Sequence, residues 1–258
     1  MLLNLPQPIT CFIGDALLLP DEIGESPCDV YHFSRGNERF FLKTCPPQFI
    51  PTTYSVQREA QVLQWLEGRL SVPEVVALGE SGDGEFMITR AVPGESLQRR
   101  IEQKLPVLEL FREALHQVQS VLIADCPFDS SATLRLRELE YLMAQGLCAD
   151  DLDLQPWPNL HTPKDLLAHL QATVALEDRV FSHGDLGDSN VFVDAREQLH
   201  FIDLGRGGIA DRWLDIAFVH RNLREEVSAT VAAEFLAGAS AFDNPAKREF
   251  FEQLDELF

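Results

Sequence analysis

Apolar and polar positions follow two different rhythms along this chain. In the first ninety residues the apolar runs are short and β-rich. Residues 29–33 and 40–43 flank the turn cluster Ser34-Arg35-Gly36-Asn37, the pattern of a hairpin. From Arg58 to Leu70, Ala60, Leu63, Leu66 and Leu70 recur at spacings of three and four, which predicts a helix stopped before Pro73. Residues 75–78 and 86–89 then predict two strands about Ser81-Gly82-Asp83-Gly84. Beyond Pro93-Gly94 the spacing turns helical, over residues 108–122, 134–147, 164–176 and 227–239. A proline-rich loop at 155–163 interrupts this half, and a short strand pair, 191–193 and 199–202, flanks the polar turn Asp194-Ala195-Arg196-Glu197. The pattern predicts an α+β chain. A small antiparallel β-rich lobe (1–91) precedes a larger, mainly helical one (92–258), with Pro93-Gly94 as the hinge.

Composition narrows the partners. The 258 residues are 45% apolar and 24% charged, enough for a sizeable core and unlike a disordered chain. Against 21 basic residues stand 41 acidic ones, a net charge of −20 that repels nucleic acid and anionic lipid and attracts a polycation. The five cysteines contain no CxxC pair and are odd in number, which argues against a disulfide framework or structural zinc and for a reducing cytosol. The opening MLLNLPQPITCFIG has no early Lys or Arg and no long apolar run, so it reads as neither signal peptide nor membrane span. A cytoplasmic location and no membrane partner are expected.

The densest chemistry is in Phe181 to Asn190, FSHGDLGDSN. Phosphoryl transfer asks little covalent chemistry of a protein; it needs a carboxylate that orients the attacking hydroxyl and ligands that hold Mg²⁺ on the phosphates. Asp185 suits the first role and Asn190, five residues on, suits the metal. Asp203 follows the predicted strand pair, which would return a second metal carboxylate to the same place. Each residue alone would read as an ordinary turn residue; the ordered set is far more specific. A cation for the nucleotide phosphates is offered by Lys43, at the end of Phe40-Phe41-Leu42, and Glu59 in the first turn of the predicted helix could pair with it. Gly24-Glu25-Ser26-Pro27 could cover phosphates through backbone N–H groups and the Ser26 hydroxyl. No Ala-Pro-Glu segment follows Asp203, which argues against a protein kinase.

FSHGDLGDSN, FIDLGRGGIADRWLDIAF and the terminal LDELF resemble the aminoglycoside 3'-phosphotransferases, the kanamycin and neomycin kinases. The similarity is recognisable again at GESPCDVY, FFLK and QREAQVLQWLEG, and so spans nearly the whole chain. It implies a bilobal protein-kinase-like fold that moves the γ-phosphate of ATP, or GTP, to a sugar hydroxyl, the 3' one, and so confers antibiotic resistance. By that resemblance Asp185 would be the catalytic base, Asn190 and Asp203 would hold Mg²⁺, Lys43 would contact the α- and β-phosphates and Glu59 would orient it. Ser26 would lie near the β-phosphate, Phe41 would stack on the adenine, and the backbone at Arg90 and Ala91 would form the nucleotide hinge. Glu225, Glu256 and the α-carboxylate of Phe258 match positions that bind a cationic amino sugar, and Asp153 falls in the loop that covers it. That loop departs from the family at Gln155, Pro156 and Pro158, which points to a narrower or weaker drug range than in typical members. Asp211, Asp215 and His183 read as anchors of the catalytic loop, and Arg206 as a partner of either a phosphate or a carboxylate. Two alternatives stay open: a kinase of the same fold acting on another small hydroxyl-bearing metabolite or antibiotic, and a catalytically silent nucleotide-binding module. The sequence does not reveal an oligomeric state.

Overall fold

A computed structural model describes residues 4–21, 27–148, 154, 156–239 and 242–256. The chain divides into two compact units. One comprises Met1–Ser96 with Asn190–Arg206, the other Leu97–Ser189 with Gly207–Phe258.

The first unit begins with a short helix, α1 (Gln7–Ile13), and the strands β1 (Leu19–Pro20), β2 (Val30–Arg35) and β3 (Glu38–Cys45). After helix α2 (Val56–Leu66) come β4 (Val75–Ser81), β5 (Gly84–Arg90) and the two-residue β6 (Glu95–Ser96). The sheet is antiparallel throughout, in the order β1-β2-β3-β5-β4. Its side chains sort by the two-residue period of a pleated strand. Phe33, Phe40, Leu42, Phe86 and Ile88 form one buried face against Ile9 and Ile13 of α1. Phe41 and Lys43 take the opposite parity on β3 and are half-buried.

α2 is placed by its first turn. Ser55 caps it, accepting from the Arg58 N–H at 3.1 Å. The buried Glu85 carboxylate on β5 accepts from the Ser55 hydroxyl at 2.7 Å and the Gln57 N–H at 3.1 Å. An acidic group there satisfies end N–H groups and meets the positive end of the helix dipole. The helix stops at Leu66, earlier than the apolar spacing suggests, because Gly68 adopts a left-handed φ of 74°. Ser55→Ala should cost about 1 kcal/mol of stability, read as a lower urea midpoint with an unchanged m value.

The second unit continues with α3 (Leu97–Glu102), α4 (Leu108–Gln119), α5 (Ala132–Gln145), α6 (Pro163–Thr173) and strand β7 (Arg179–Ser182). The chain then supplies the first unit with a hairpin, β8 (Val191–Val193) and β9 (Leu199–Phe201), followed by a 3₁₀ turn at Leu204–Arg206. β6 pairs with β8, and Gly94 is needed beside it: a Cβ there would lie 2.2 Å from the Val193 carbonyl oxygen. Back in the second unit, β10 (Gly208–Asp211) pairs antiparallel with β7, and α7 (Trp213–Glu226), α8 (Ala229–Ala239) and α9 (Pro245–Asp255) complete it. Among the described residues no helix is long and apolar enough to cross a membrane.

Candidate active site

In the first unit two carboxylates converge on one ammonium. Lys43 Nζ donates to Glu59 Oε2 at 2.8 Å and to Asp203 Oδ1 at 2.6 Å. The capped start of α2 sets Glu59 one turn into the helix, where it is buried. The β8–β9 hairpin returns Asp203, in the left-handed region at φ 56°. Gly205 allows the turn to approach α2 closely, since a Cβ there would lie 2.9 Å from the Thr53 carbonyl oxygen. Arg58 Nη1 donates to the Gly205 carbonyl from the α2 side. Burial alone would lower the Lys43 pKa, but the Asp203 and Glu59 carboxylates outweigh it and hold the ammonium above the usual lysine range.

The Asn190 carbonyl oxygen accepts from the Ile202 N–H at 3.0 Å, which sets Asn190 at the open end of the same hairpin. Two carboxylates against one lysine leave a negative excess, and the Asp203 side chain is 41% exposed. A carboxylate and an amide oxygen are hard donors of the kind Mg²⁺ takes, so these residues fit that ion.

Phe41 meets His32 edge-on at 6.4 Å between ring centroids, with the Arg39 guanidinium 5.1 Å from its ring centroid. Arg90 and Ala91 close the sheet. The Arg90 N–H donates to the Glu74 carbonyl and the Ala91 N–H to the Arg39 carbonyl, both at 2.9 Å. The Arg90 side chain pairs with Glu74 and Glu38. Arg206 donates to the Tyr54 hydroxyl at 2.8 Å and sits over its ring, so a phenol is among its partners.

The second unit holds Asp185, half-buried, in the loop that leaves β7. This loop is pinned through its backbone. The fully buried Asp215, in the first turn of α7, accepts from the His183 N–H and the Gly184 N–H, both at 2.9 Å. Arg135 of α5, 1% exposed, donates to the Gly184 carbonyl at 2.8 Å. Gly184 has φ 85°, and the Gly187 N–H closes onto the Asp185 carbonyl at 2.9 Å. Burial raises the Asp215 pKa against the lowering influence of His183 and the two backbone donors. Asp211, expected to anchor the same loop, instead pairs with Lys247 of α9 and accepts from the Trp213 N–H, holding the start of α7.

Glu225 and Glu256 lie about Arg221. Its guanidinium reaches Glu256 at 2.6 Å and both Glu225 and Asp255 at 3.3 Å. Arg224 bonds Glu225 at 3.2 Å and Glu252 at 3.1 Å. Ser26, Asp153 and Phe258 lie outside the described residues. Sequence reasoning missed Glu85, Arg135 and Arg221. The partners of Glu85 and Arg135, and Asp255 and Glu256 at Arg221, are 28 to 49 positions away and no local spacing announces them, whereas Glu225 stands at the i,i+4 spacing from Arg221.

The matching family model is the phosphotransferase enzyme family, over residues 23–251. An aminoglycoside 3'-phosphotransferase from Acinetobacter baumannii is 42% identical, over 99% of this chain and all of that one. The chain belongs to the aminoglycoside 3'-phosphotransferase family. A crystal structure of an aminoglycoside-3'-phosphotransferase of type VIII, 28% identical, superposes with a TM-score of 0.80 over 94% of each chain. An aminoglycoside phosphotransferase from Streptomyces rimosus, solved with ADP and streptomycin, is 22% identical and shares the fold, with a TM-score of 0.76 over 96% of this chain and 95% of that one. Aminoglycoside 3'-phosphotransferase membership makes this chain a kinase-like α+β phosphotransferase, as FSHGDLGDSN and the resemblance around it implied.

Proposed function

We propose that this chain moves the γ-phosphate of ATP, or GTP, to the 3'-hydroxyl of an aminoglycoside, and that the residues named above divide the work. The observation that carries the reading is Lys43 held between Glu59 and Asp203. It presents a fixed cation beside a site with negative excess, which suits a nucleotide's phosphates accompanied by a metal ion. Lys43 contacts the α- and β-phosphates and Glu59 keeps it extended. Phe41 stacks on the base, the strand end at Arg90 and Ala91 reads its edge, and Ser26 donates to the β-phosphate. Asn190 and Asp203 hold Mg²⁺, whose charge offsets that of the phosphates. Asp185 orients the acceptor hydroxyl and takes its proton as the sugar oxygen bonds to the γ-phosphorus and ADP leaves. The ADP held by the Streptomyces rimosus relative supports the nucleotide assignment.

Asp153, Glu225 and Glu256 bind the ammonium groups. Arg221 and Arg224 fix Glu225 and Glu256 before the drug arrives, so less ordering remains to be done on binding. Modification of the drug confers resistance on the cell.

The test is a transfer panel with Mg²⁺ and either ATP or GTP across kanamycin, neomycin, neutral sugars and amino alcohols, with the product position read by NMR. A 3'-phosphate on kanamycin supports the reading; products only from a neutral sugar or an amino alcohol sink it. In the same assay Glu256→Gln should raise the drug KM about tenfold with kcat little changed, the cost of one charge-assisted hydrogen bond.

A further inference from the structure

The nucleotide-facing side of the first unit's sheet carries a second chemical feature, a pair of thiols. Val30 lies opposite Lys43 in the β2–β3 ladder. Just before it, the Thr44 N–H donates to the Asp29 carbonyl at 2.9 Å. Extending this register by one further residue puts Cys28 opposite Cys45. The Thr44–Asp29 bond marks the hydrogen-bonded position of the pattern, so a ladder continued by one residue would place the cysteines at the non-hydrogen-bonded kind, whose Cα atoms lie about 4.5 Å apart in a regular sheet. Disulfides span Cα separations of roughly 4.4 to 6.8 Å. The Cys28 thiol is among the groups that raise the Cys45 pKa, in agreement with that register. Both are buried thiols outside any disulfide, with Cys28 also near the Tyr54 carbonyl and Cys45 near the Pro46 carbonyl.

We infer that Cys28 and Cys45 form a reversible disulfide by exchange with a small disulfide of the oxidised-glutathione class, and that closing it weakens nucleotide binding. The exchange balances without another reagent. The Cys28 thiolate attacks the small disulfide, forming a mixed disulfide and releasing one small thiol. Cys45 then attacks Cys28 Sγ, forming the protein disulfide and releasing the second thiol. Cys28 leads because it retains 4% exposure while Cys45 has none. The hydrogen bond to Cys28, together with burial, pushes the Cys45 thiol above its usual range, so the closing step quickens as pH rises.

The coupling to nucleotide follows from position. Cys45 is two residues beyond Lys43 and so shares its face of β3, and the Cys28 sulfur is close enough to act on the Lys43 charge. Cys28 also stands two residues after Ser26. A bridge therefore ties Cys28 to the strand that carries Lys43.

The experiment treats the full-length protein with oxidised glutathione, traps remaining thiols with N-ethylmaleimide in denaturant, and maps peptides by mass spectrometry. The Cys28 and Cys45 peptides should be linked and two hydrogens lighter than the reduced pair, with Cys11, Cys126 and Cys148 carrying maleimide or glutathione. Cys45→Ser should leave a glutathione adduct on Cys28 and no link. Alkylation of both Cys28 and Cys45 after the exposed Cys11 has fully reacted overturns the site. Mg·ADP affinity, read by calorimetry, should fall about tenfold on oxidation, the worth of one disturbed charge-assisted contact, and dithiothreitol should restore it. A linked protein with unchanged affinity overturns the coupling. The mass measurement needs no bound nucleotide, so failure of the thiol pair is distinguishable from failure of the proposed function.

Discussion

Asp185→Ala should lower phosphate transfer by about 10²- to 10⁴-fold, the range of a lost general base, while Mg·ATP binding stays close to that of the parent. The contrast rests on how the loop is held. Asp215 and Arg135 grip it through the backbone of His183 and Gly184, so truncating the half-buried Asp185 side chain leaves that grip in place. The nucleotide contacts proposed for Lys43, Asn190 and Asp203 belong to the other compact unit. Asp185→Asn should fall between the two, because an amide can still accept the substrate's O–H but cannot take its proton. Single-turnover transfer and calorimetric nucleotide affinity are the paired measurements. Turnover of Asp185→Ala within tenfold of the parent would remove the base assignment.

The sequence made some parts of this molecule legible because their signals are local. The β-rich run Phe40-Phe41-Leu42-Lys43 predicts a strand ending in a lysine, and β3 carries it, with Lys43 on the face opposite the core. The polar turn between residues 191–193 and 199–202 predicts the hairpin that returns Asp203 to Lys43. Other elements leave little periodic trace. α7 leaves a weaker trace because the polar Asp215 and His220 are buried among Trp213, Leu214, Ile216, Ala217, Val219 and Leu223, which interrupts its apolar spacing. α1 is seven residues long, too short for a period to register. Helix ends drifted where backbone conformation outranks apolar spacing: α5 stops at Gln145 because Gly146 takes a left-handed φ of 68°. Arg135 looks like one more charge in RLRELEYL, yet it is buried with its guanidinium on Gly184. That role depends on long-range packing, which one sequence does not encode in any short window.

Asp215→Ala should damage both stability and catalysis, and that combination separates it from Asp185→Ala. The carboxylate accepts the two consecutive N–H groups of His183 and Gly184 and the Ser182 hydroxyl, all buried. Removing it strands the His183 N–H at about 1–3 kcal/mol, while the Gly184 N–H keeps the Ser182 Oγ at 3.1 Å; relief of a buried charge offsets part of the cost, so a net loss of about 1–3 kcal/mol is expected. With the loop released, Asp185 is no longer aimed, and kcat should fall by about 10²-fold or more, as misplacement of a positioned group predicts. Asp215→Asn keeps one acceptor but points an NH₂ at the second N–H, so it should recover only part of each loss. The pH dependence supplies an independent check. Burial raises the Asp215 pKa in the folded chain, so above the usual carboxylate range the folded state binds more protons than the unfolded one. Its contribution to stability therefore declines as pH rises through that window. Relative to Asp215→Asn, which cannot titrate, the parent should gain urea resistance as the pH is lowered toward the carboxylate range. A parent and an Asn variant with parallel pH profiles, or an Ala variant with the parent's urea midpoint, would mean that Asp215 does not hold the loop.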